Sequence, residues 1–165
     1  MVDWMVEVLC SYKCKDQTFF LAVNFMDRYM EKFPTKMEPE HIHLLGISSM
    51  FLAAKYEEIY PFKMRHVYEK IGHRKLSKKK VKDQEAEICN QLDFNLSAVT
   101  SFDFAMNALA VINVEDKLSK KDMKYLIKVI IYLSKMNLYD YNMVKNSLKV
   151  YLGGATLYVA LKILE

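Results

Sequence analysis

Leu44-Leu45-Gly46-Ile47-Ser48-Ser49-Met50-Phe51-Leu52-Ala53-Ala54 runs without a charged side chain, and Lys55-Tyr56-Glu57-Glu58-Ile59-Tyr60-Pro61 follows at once. A helix that is apolar on every side is buried on every side. These eleven residues fall well short of the roughly 20 that a bilayer span demands. Gly46, Ser48, Ser49, Ala53 and Ala54 are small, so neighbouring helices can approach closely. The stretch reads as the central post of a helical domain, and the charged Lys55–Glu58 turn marks the end that breaks the surface.

Composition agrees with a helical reading. The 165 residues are 52% hydrophobic and 27% charged, which fits a globular protein with a sizeable core. Four Gly and three Pro leave little turn material for a sheet, so the expected class is all-α. A formal net charge of +4 makes no case for nucleic acid. Cys10, Cys14 and Cys89 are an odd count without framework spacing, which implies a reducing compartment, nucleus and cytoplasm. No segment reads as a signal peptide or a membrane span.

Outward from the central stretch, Val2, Met5, Val6 and Leu9 share one face of a first helix, which begins without a capping side chain. Asp16 caps a second helix that Pro34 ends. Pro39 occupies a first-turn position of the central helix, and Pro61 closes it. Phe62–Ile71 makes a fourth helix stopped by Gly72. Ser77 caps a fifth, to about Leu92. Thr100 caps a sixth after an extended Asp93–Val99 connection. Ser119 caps a seventh, and the last runs from about Ser147 onward. A shift of 107 residues lays Leu45-Gly46 on Leu152-Gly153, Met50–Ala53 on Leu157–Ala160, Lys55 on Lys162 and Glu58 on Glu165. Two related central helices predict two related helical domains. Within the second, Tyr151, Leu157, Tyr158, Leu161 and Leu164 are expected to leave a partly exposed apolar face.

Several charges stand where charge is costly. Val81, Glu85, Ile88 and Leu92 recur at spacings of four, three and four, which puts Glu85 inside an apolar seam. Lys55 shares a face with Phe51, Leu52 and Ile59. Each charge either finds an opposite partner or reaches solvent along its aliphatic stem. Asp27 lies on the seam of Phe20, Val23 and Met30. The basic run Arg74–Lys82 reads as an import signal, a phosphate patch or a solvated helix start, and three lysines in a first turn oppose the helix dipole. Catalysis finds no footing. There is no Gly-rich phosphate loop or nucleophile elbow, and His41, His43, His66 and His73 lack metal-site spacing with the cysteines. The chain is expected to be no enzyme and to need no cofactor.

Ser49–Pro61, with Val2-Asp3-Trp4, Asn24–Tyr29 and Leu92-Asp93-Phe94-Asn95-Leu96, resembles the cyclin box in order and spacing. Tyr56, Tyr139–Val144 and Ala160–Leu164 resemble the mitotic A/B group and lean toward B. The resemblance implies tandem cyclin-box folds: a first, complete or nearly so, over residues 1–96, and a second over 97–165, truncated after its third helix. It implies a regulatory subunit that binds and activates a cyclin-dependent protein kinase. By resemblance, Lys55 and Glu85 lie side by side and contact kinase backbone. Tyr56, Glu57, Glu58 and Ile59 adjoin them, and Cys89, Phe94 and Leu96 line the apolar part of the interface. Met1, Trp4, Glu7, Ile42 and His43 match a shallow groove for Arg-x-Leu docking peptides, although a lone helical Trp also fits a core position. Asp27 matches a structural charge whose family partner, an Arg, precedes the position of Met1. Two other readings compete: a cyclin that binds a kinase without activating it, and a cyclin-fold nucleic-acid or transcription adaptor. The mild charge and the Glu57-Glu58 turn oppose the adaptor, so neither nucleic acid nor membrane is an expected partner.

Overall fold

The structure, a computed structural model, describes residues 1–32, 37–112 and 118–164. Among them every regular element is helical: α1 (Val2–Ser11), α2 (Asp16–Lys32), α3 (Pro39–Glu57), α4 (Met64–His66), a π-helical turn (Val67–Ile71), α5 (Lys78–Gln91), α6 (Ser101–Ile112), α7 (Lys120–Asn137), α8 (Tyr141–Asn146) and α9 (Lys149–Leu164). The chain forms two compact units, Met1–Ala98 and Val99–Glu165. Pro34 and Glu165, read above as a helix stop and a repeat match, lie outside the described residues.

In the first unit α3 is the post. Every residue from Leu44 to Ala54 is buried, and α1, α2, α5 and the π-helical turn pack around it. The small residues act as expected. Ser48 is fully buried, and its hydroxyl donates to the Val81 carbonyl of α5 across 3.4 Å. Phe25, Met5, Leu45, Met50 and Ile88 are wholly enclosed, each worth about 1.5–3 kcal/mol of apolar burial.

Helix starts follow local chemistry. Pro39 opens α3. Ser77 accepts from the Lys80 N–H at the head of α5, and Ser119 from the Asp122 N–H at the head of α7. Thr100 and Asp103 cap α6 reciprocally, the Asp103 carboxylate accepting from the Thr100 N–H and hydroxyl at 2.7 Å each.

Helix ends depart from expectation in two places. α3 stops at Glu57, four residues before Pro61, because Glu58 turns extended and its carboxylate is drawn to another element. The fourth helix starts at Met64 and widens into a π-helical turn, which the Gly72 N–H closes onto the Val67 carbonyl. A Cβ on Gly72 would sit 3.1 Å from that carbonyl. Gly72 itself keeps negative φ, and His73 and Arg74 take the left-handed conformation instead (φ 47° and 61°).

In the second unit α9 packs against α6 and α7. A Cβ on Gly153 would lie 2.6 Å from the Ser101 carbonyl and 2.7 Å from Phe104 Cβ, so α6 touches α9 backbone to backbone. Thr156 donates to the Leu152 carbonyl and accepts from the Asn137 amide, joining α9 to α7. α8 is absent from the sequence reading; Asp140 caps it by accepting from the Met143 N–H. The apolar face expected on α9 is present in part. Tyr151 and Tyr158 are exposed, Leu161 and Leu164 are half-buried, and Leu157 is buried, because it turns inward with Leu152 and Ala160.

Candidate interaction surfaces

The seam charges meet. Lys55, in the last turn of α3, forms an ion pair with Glu85 in the middle of α5. The Glu85 side chain is 13% exposed and the Lys55 side chain 43%, so the carboxylate is nearly enclosed while the ammonium stands at the rim; Val81, Ile88 and Leu92 of the same seam are buried. Lys55 Nζ also lies 4.7 Å from the centroid of the Phe51 ring, where the ring's negative face attracts a cation. Beside the pair, Tyr56, Ile59 and Tyr60 are exposed. Cys89, one turn along α5, is buried; burial pushes its thiol pKa up and the Glu85 carboxylate adds to the shift.

Past α5 the chain turns through Asp93 and Phe94, both left-handed (φ 52° and 54°). A bulky residue rarely adopts that conformation. Here the turn is held from outside: the Phe94 N–H bonds to the Cys89 carbonyl, Arg28 donates to the Asn95 carbonyl at 2.9 Å, and Lys32 reaches both the Gln91 carbonyl and the Asp93 carboxylate. The result is a Phe94 ring that is 69% exposed, with Leu96 half-buried after it. The predicted residues Lys55, Glu85, Cys89 and Phe94 are thus linked through the end of α3 and the second half of α5. Arg28 and Lys32 support them from α2; Arg28 falls within the Asn24–Tyr29 stretch, but neither residue's role as a support is legible in the sequence.

Glu57 and Glu58 divide. Glu57 is half-buried, and its backbone carbonyl accepts from Lys15 Nζ at 3.3 Å. The Glu58 carboxylate accepts from the Lys15 N–H at 2.7 Å and the Thr18 hydroxyl at 2.5 Å, at the head of α2, where a helix dipole favours an anion. Glu58 also helps burial hold the nearby Cys14 thiol protonated, its pKa pushed up to about 11.

On α1, Trp4 is half-buried and its ring lies 4.8 Å from that of His43. Met1 Sδ and Trp4 rest over Gly46, at 3.0 and 3.6 Å from where a Cβ would stand. Ile42 is half-buried and Glu7 exposed. Of the predicted groove, Met1, Trp4 and His43 therefore come together directly. Trp4 also borders a cleft of about 210 Å³ whose other wall is Lys70, Ile71 and His73. Sequence reading missed this wall because the two sides are at least 58 residues apart in the chain (Tyr12 to Lys70). A larger cleft, about 590 Å³, lies between α2, the head of α3 and α5; on its wall the Tyr29 hydroxyl donates to Glu87 at 2.6 Å. Asp27 is half-buried and engaged within the fold. Among the described residues no group of three His, Cys, Asp or Glu is placed to hold a metal, and no helix is long and apolar enough to cross a membrane.

Comparison with known proteins accords with this architecture. The family described as "Cyclin, N-terminal domain" matches residues 1–97. Putative cyclin-A3-1 of Arabidopsis thaliana is 33% identical over 145 residues, covering 88% of this chain and 39% of that protein. Cyclin-B2-1 of Oryza sativa subsp. japonica is 30% identical over 160 residues, covering 97% of this chain and 35% of that protein. The chain therefore spans well under half the length of these curated relatives. A viral cyclin from herpesvirus saimiri shares the fold, with a TM-score of 0.66 over 99% of this chain and 85% of that one at 14% identity. Cyclins are non-catalytic, and they generally act as regulatory subunits of cyclin-dependent kinases. By its matched N-terminal domain and its all-helical architecture, the chain belongs to the cyclin family.

Proposed function

We propose that this chain binds a cyclin-dependent protein kinase and activates it in mitosis, working in the nucleus and cytoplasm. The observation that carries the reading is the Lys55–Glu85 pair, an ion pair set in an apolar seam beside exposed Tyr56, Ile59 and Phe94. A charge so placed has unspent donors and acceptors for a partner's backbone, and the surrounding apolar surface supplies area to bury. Glu57 adds a polar contact, with Cys89 and Leu96 behind. Glu58 takes part chiefly by fixing the end of α3.

The mechanism is a shift of population. The bound surface holds the kinase in the conformation whose mobile-helix Glu pairs with the ATP-site Lys. Moving a kinase from mostly inactive to mostly active needs a differential of about 5 kcal/mol, within reach of an interface of ordinary size. In the second unit, α9 packs on α6 and α7 as α3 packs on α1 and α2, which supports a second cyclin fold in tandem with the first. The face of Met1, Trp4, Ile42 and His43 serves as a docking surface for partner peptides.

Reconstitution with a purified cyclin-dependent kinase tests the reading. Lys55→Ala and Glu85→Ala are each expected to abolish activation at protein concentrations near the dissociation constant, with helical content unchanged. The double mutant should be little worse than either single one, since coupled neighbours are non-additive. Full activation by either alanine variant sinks the assignment. Kinase binding without activation by the wild-type chain supports a non-activating cyclin instead.

A further inference from the structure

The basic run that leads into α5 brackets a hydroxyl. Ser77 is exposed, with Arg74 and Lys75 three and two residues before it and Lys78, Lys79 and Lys80 directly after, all five exposed as well. No other Ser or Thr of the chain has an arginine three residues before it. Glu69 is taken up by Arg65, which holds both its carboxylate oxygens at 3.0–3.1 Å, and the first turn of α5 has no acidic residue.

One pentapeptide occurs twice and isolates what is particular to Ser77. Lys75-Leu76-Ser77-Lys78-Lys79 is matched by Lys117-Leu118-Ser119-Lys120-Lys121. Both serines cap a helix, each accepting from the N–H three residues on. Glu115 and Asp116 precede Ser119 in the sequence, and its hydroxyl donates to the Asp122 carboxylate at 2.6 Å. Lys80 holds the corresponding place after Ser77, so that position offers the Ser77 hydroxyl no carboxylate.

We propose that Ser77 is a phosphorylation site for a protein kinase with an acidic substrate cleft, and that the phosphate strengthens the start of α5. Ser77 Oγ bonds to the γ-phosphorus of ATP as the bond from that phosphorus to the bridging oxygen breaks; ADP leaves, and the hydroxyl proton passes to the kinase's catalytic carboxylate. Arg74, Lys75 and Lys79 meet carboxylates of the kinase, which the acids around Ser119 would repel. The segment can be drawn out for such a reader. Ser77 is already extended (φ −71°, ψ 149°), and Arg74 is left-handed (φ 61°), a strain that extension relieves. The bonds from the Arg74 N–H to the Tyr68 carbonyl and from the Lys75 N–H to the Gly72 carbonyl open in exchange. Three lysines in the first turn of α5 oppose the helix dipole. A phosphate carrying about two negative charges at the cap reverses that and accepts from first-turn N–H groups. The helix so steadied is the one that presents Glu85.

The full chain is incubated with the catalytic fragment of protein kinase C and MgATP, and mass spectrometry locates the phosphate. Label is expected at Ser77 and not at Ser119. Arg74→Gln with Lys75→Gln should slow labelling about tenfold, through the loss of charge-assisted contacts to the kinase. Ser77→Asn keeps a capping side chain and removes the acceptor hydroxyl, so the label should vanish with helical content unchanged. In the phosphorylated chain, amide exchange over Lys80–Lys82 should slow about fivefold. No label at Ser77, preferential labelling of Ser119, or an unchanged rate in the Arg74→Gln, Lys75→Gln chain overturns the site. Exchange that is equal or faster in the phosphorylated chain overturns the strengthening of α5.

Discussion

Lys55 and Glu85 share one ion pair unequally: the carboxylate is nearly enclosed and the ammonium is half in water. The two halves therefore matter differently to the fold. Lys55→Ala strands a Glu85 side chain that is only 13% exposed and removes the cation over Phe51. Leaving a largely buried acceptor without its partner costs about 1–3 kcal/mol. Glu85→Ala frees a lysine that is already half exposed, which costs less than about 1 kcal/mol once solvent screening is counted. Urea unfolding at constant m-value should show the larger midpoint loss for Lys55→Ala. Equal losses would mean that the pair is solvated from both sides.

Glu57 and Glu58 are neighbours in sequence with separable roles. Thr18 is fully buried, and its hydroxyl relies on the Glu58 carboxylate, as does the Lys15 N–H. Glu58→Ala is expected to destabilise the first unit by about 1–3 kcal/mol and to loosen the start of α2. Glu57→Ala should leave stability within about 0.5 kcal/mol of wild type. Hydrogen exchange at Lys15–Phe19 checks the pair of variants. Unchanged protection in Glu58→Ala would remove the carboxylate from the head of α2.

His43 supplies a pH test of the α1 face. Burial beside Trp4 comes first in lowering its pKa below 6.5, followed by the charges of His73 and Lys75. The folded chain thus binds this proton less readily than the unfolded chain. Its contribution to stability is complete above about pH 6.5 and is lost as the pH falls below it. The ring-proton NMR titration of His43 is expected to have its midpoint below 6.5. Trp4→Ala should raise that midpoint most, His73→Ala less and Lys75→Ala least. A wild-type midpoint at or above 6.5 would show that the ring is open to water.

What could be read from the sequence follows the range of the forces involved. α3 was legible because an uncharged run can only be a buried helix, and the heads of α3, α5, α6 and α7 because Pro39, Ser77, Thr100 and Ser119 act on their own first turns. The Glu85 seam was legible from spacing alone. The end of α3 was not, since it is set by Glu58 binding an element 40 residues earlier rather than by Pro61. Nor were the left-handed Asp93 and Phe94, which Arg28 and Lys32 hold from α2. The far wall of the Trp4 cleft escaped for the same reason, because Lys70 and His73 meet α1 only through tertiary packing.

The paired glycines of α9 make the final test, because close packing explains one and not the other. A Cβ on Gly153 would meet the Ser101 carbonyl at 2.6 Å, Phe104 Cβ at 2.7 Å and the Ala105 nitrogen at 2.9 Å. Two of these are backbone atoms, so α6 and α9 must part to admit a methyl group. Overpacking of this kind costs about 1–3 kcal/mol, which outweighs the roughly 1 kcal/mol of helix propensity that Ala gains over Gly. Gly154 has nothing within 4 Å, so Gly154→Ala should collect that propensity gain in full. Gly46, at the position the 107-residue shift lays on Gly153, meets only the flexible end of Met1 at 3.0 Å and Trp4 at 3.6 Å. Gly46→Ala should therefore be nearly neutral for stability while moving Met1 and altering Trp4 emission. Thermal unfolding should rank Gly154→Ala above wild type and Gly153→Ala below it. A tolerated Gly153→Ala would mean that α6 and α9 do not touch through their backbones, and the likeness of α9 to α3 as a close-packed central helix would fail with it.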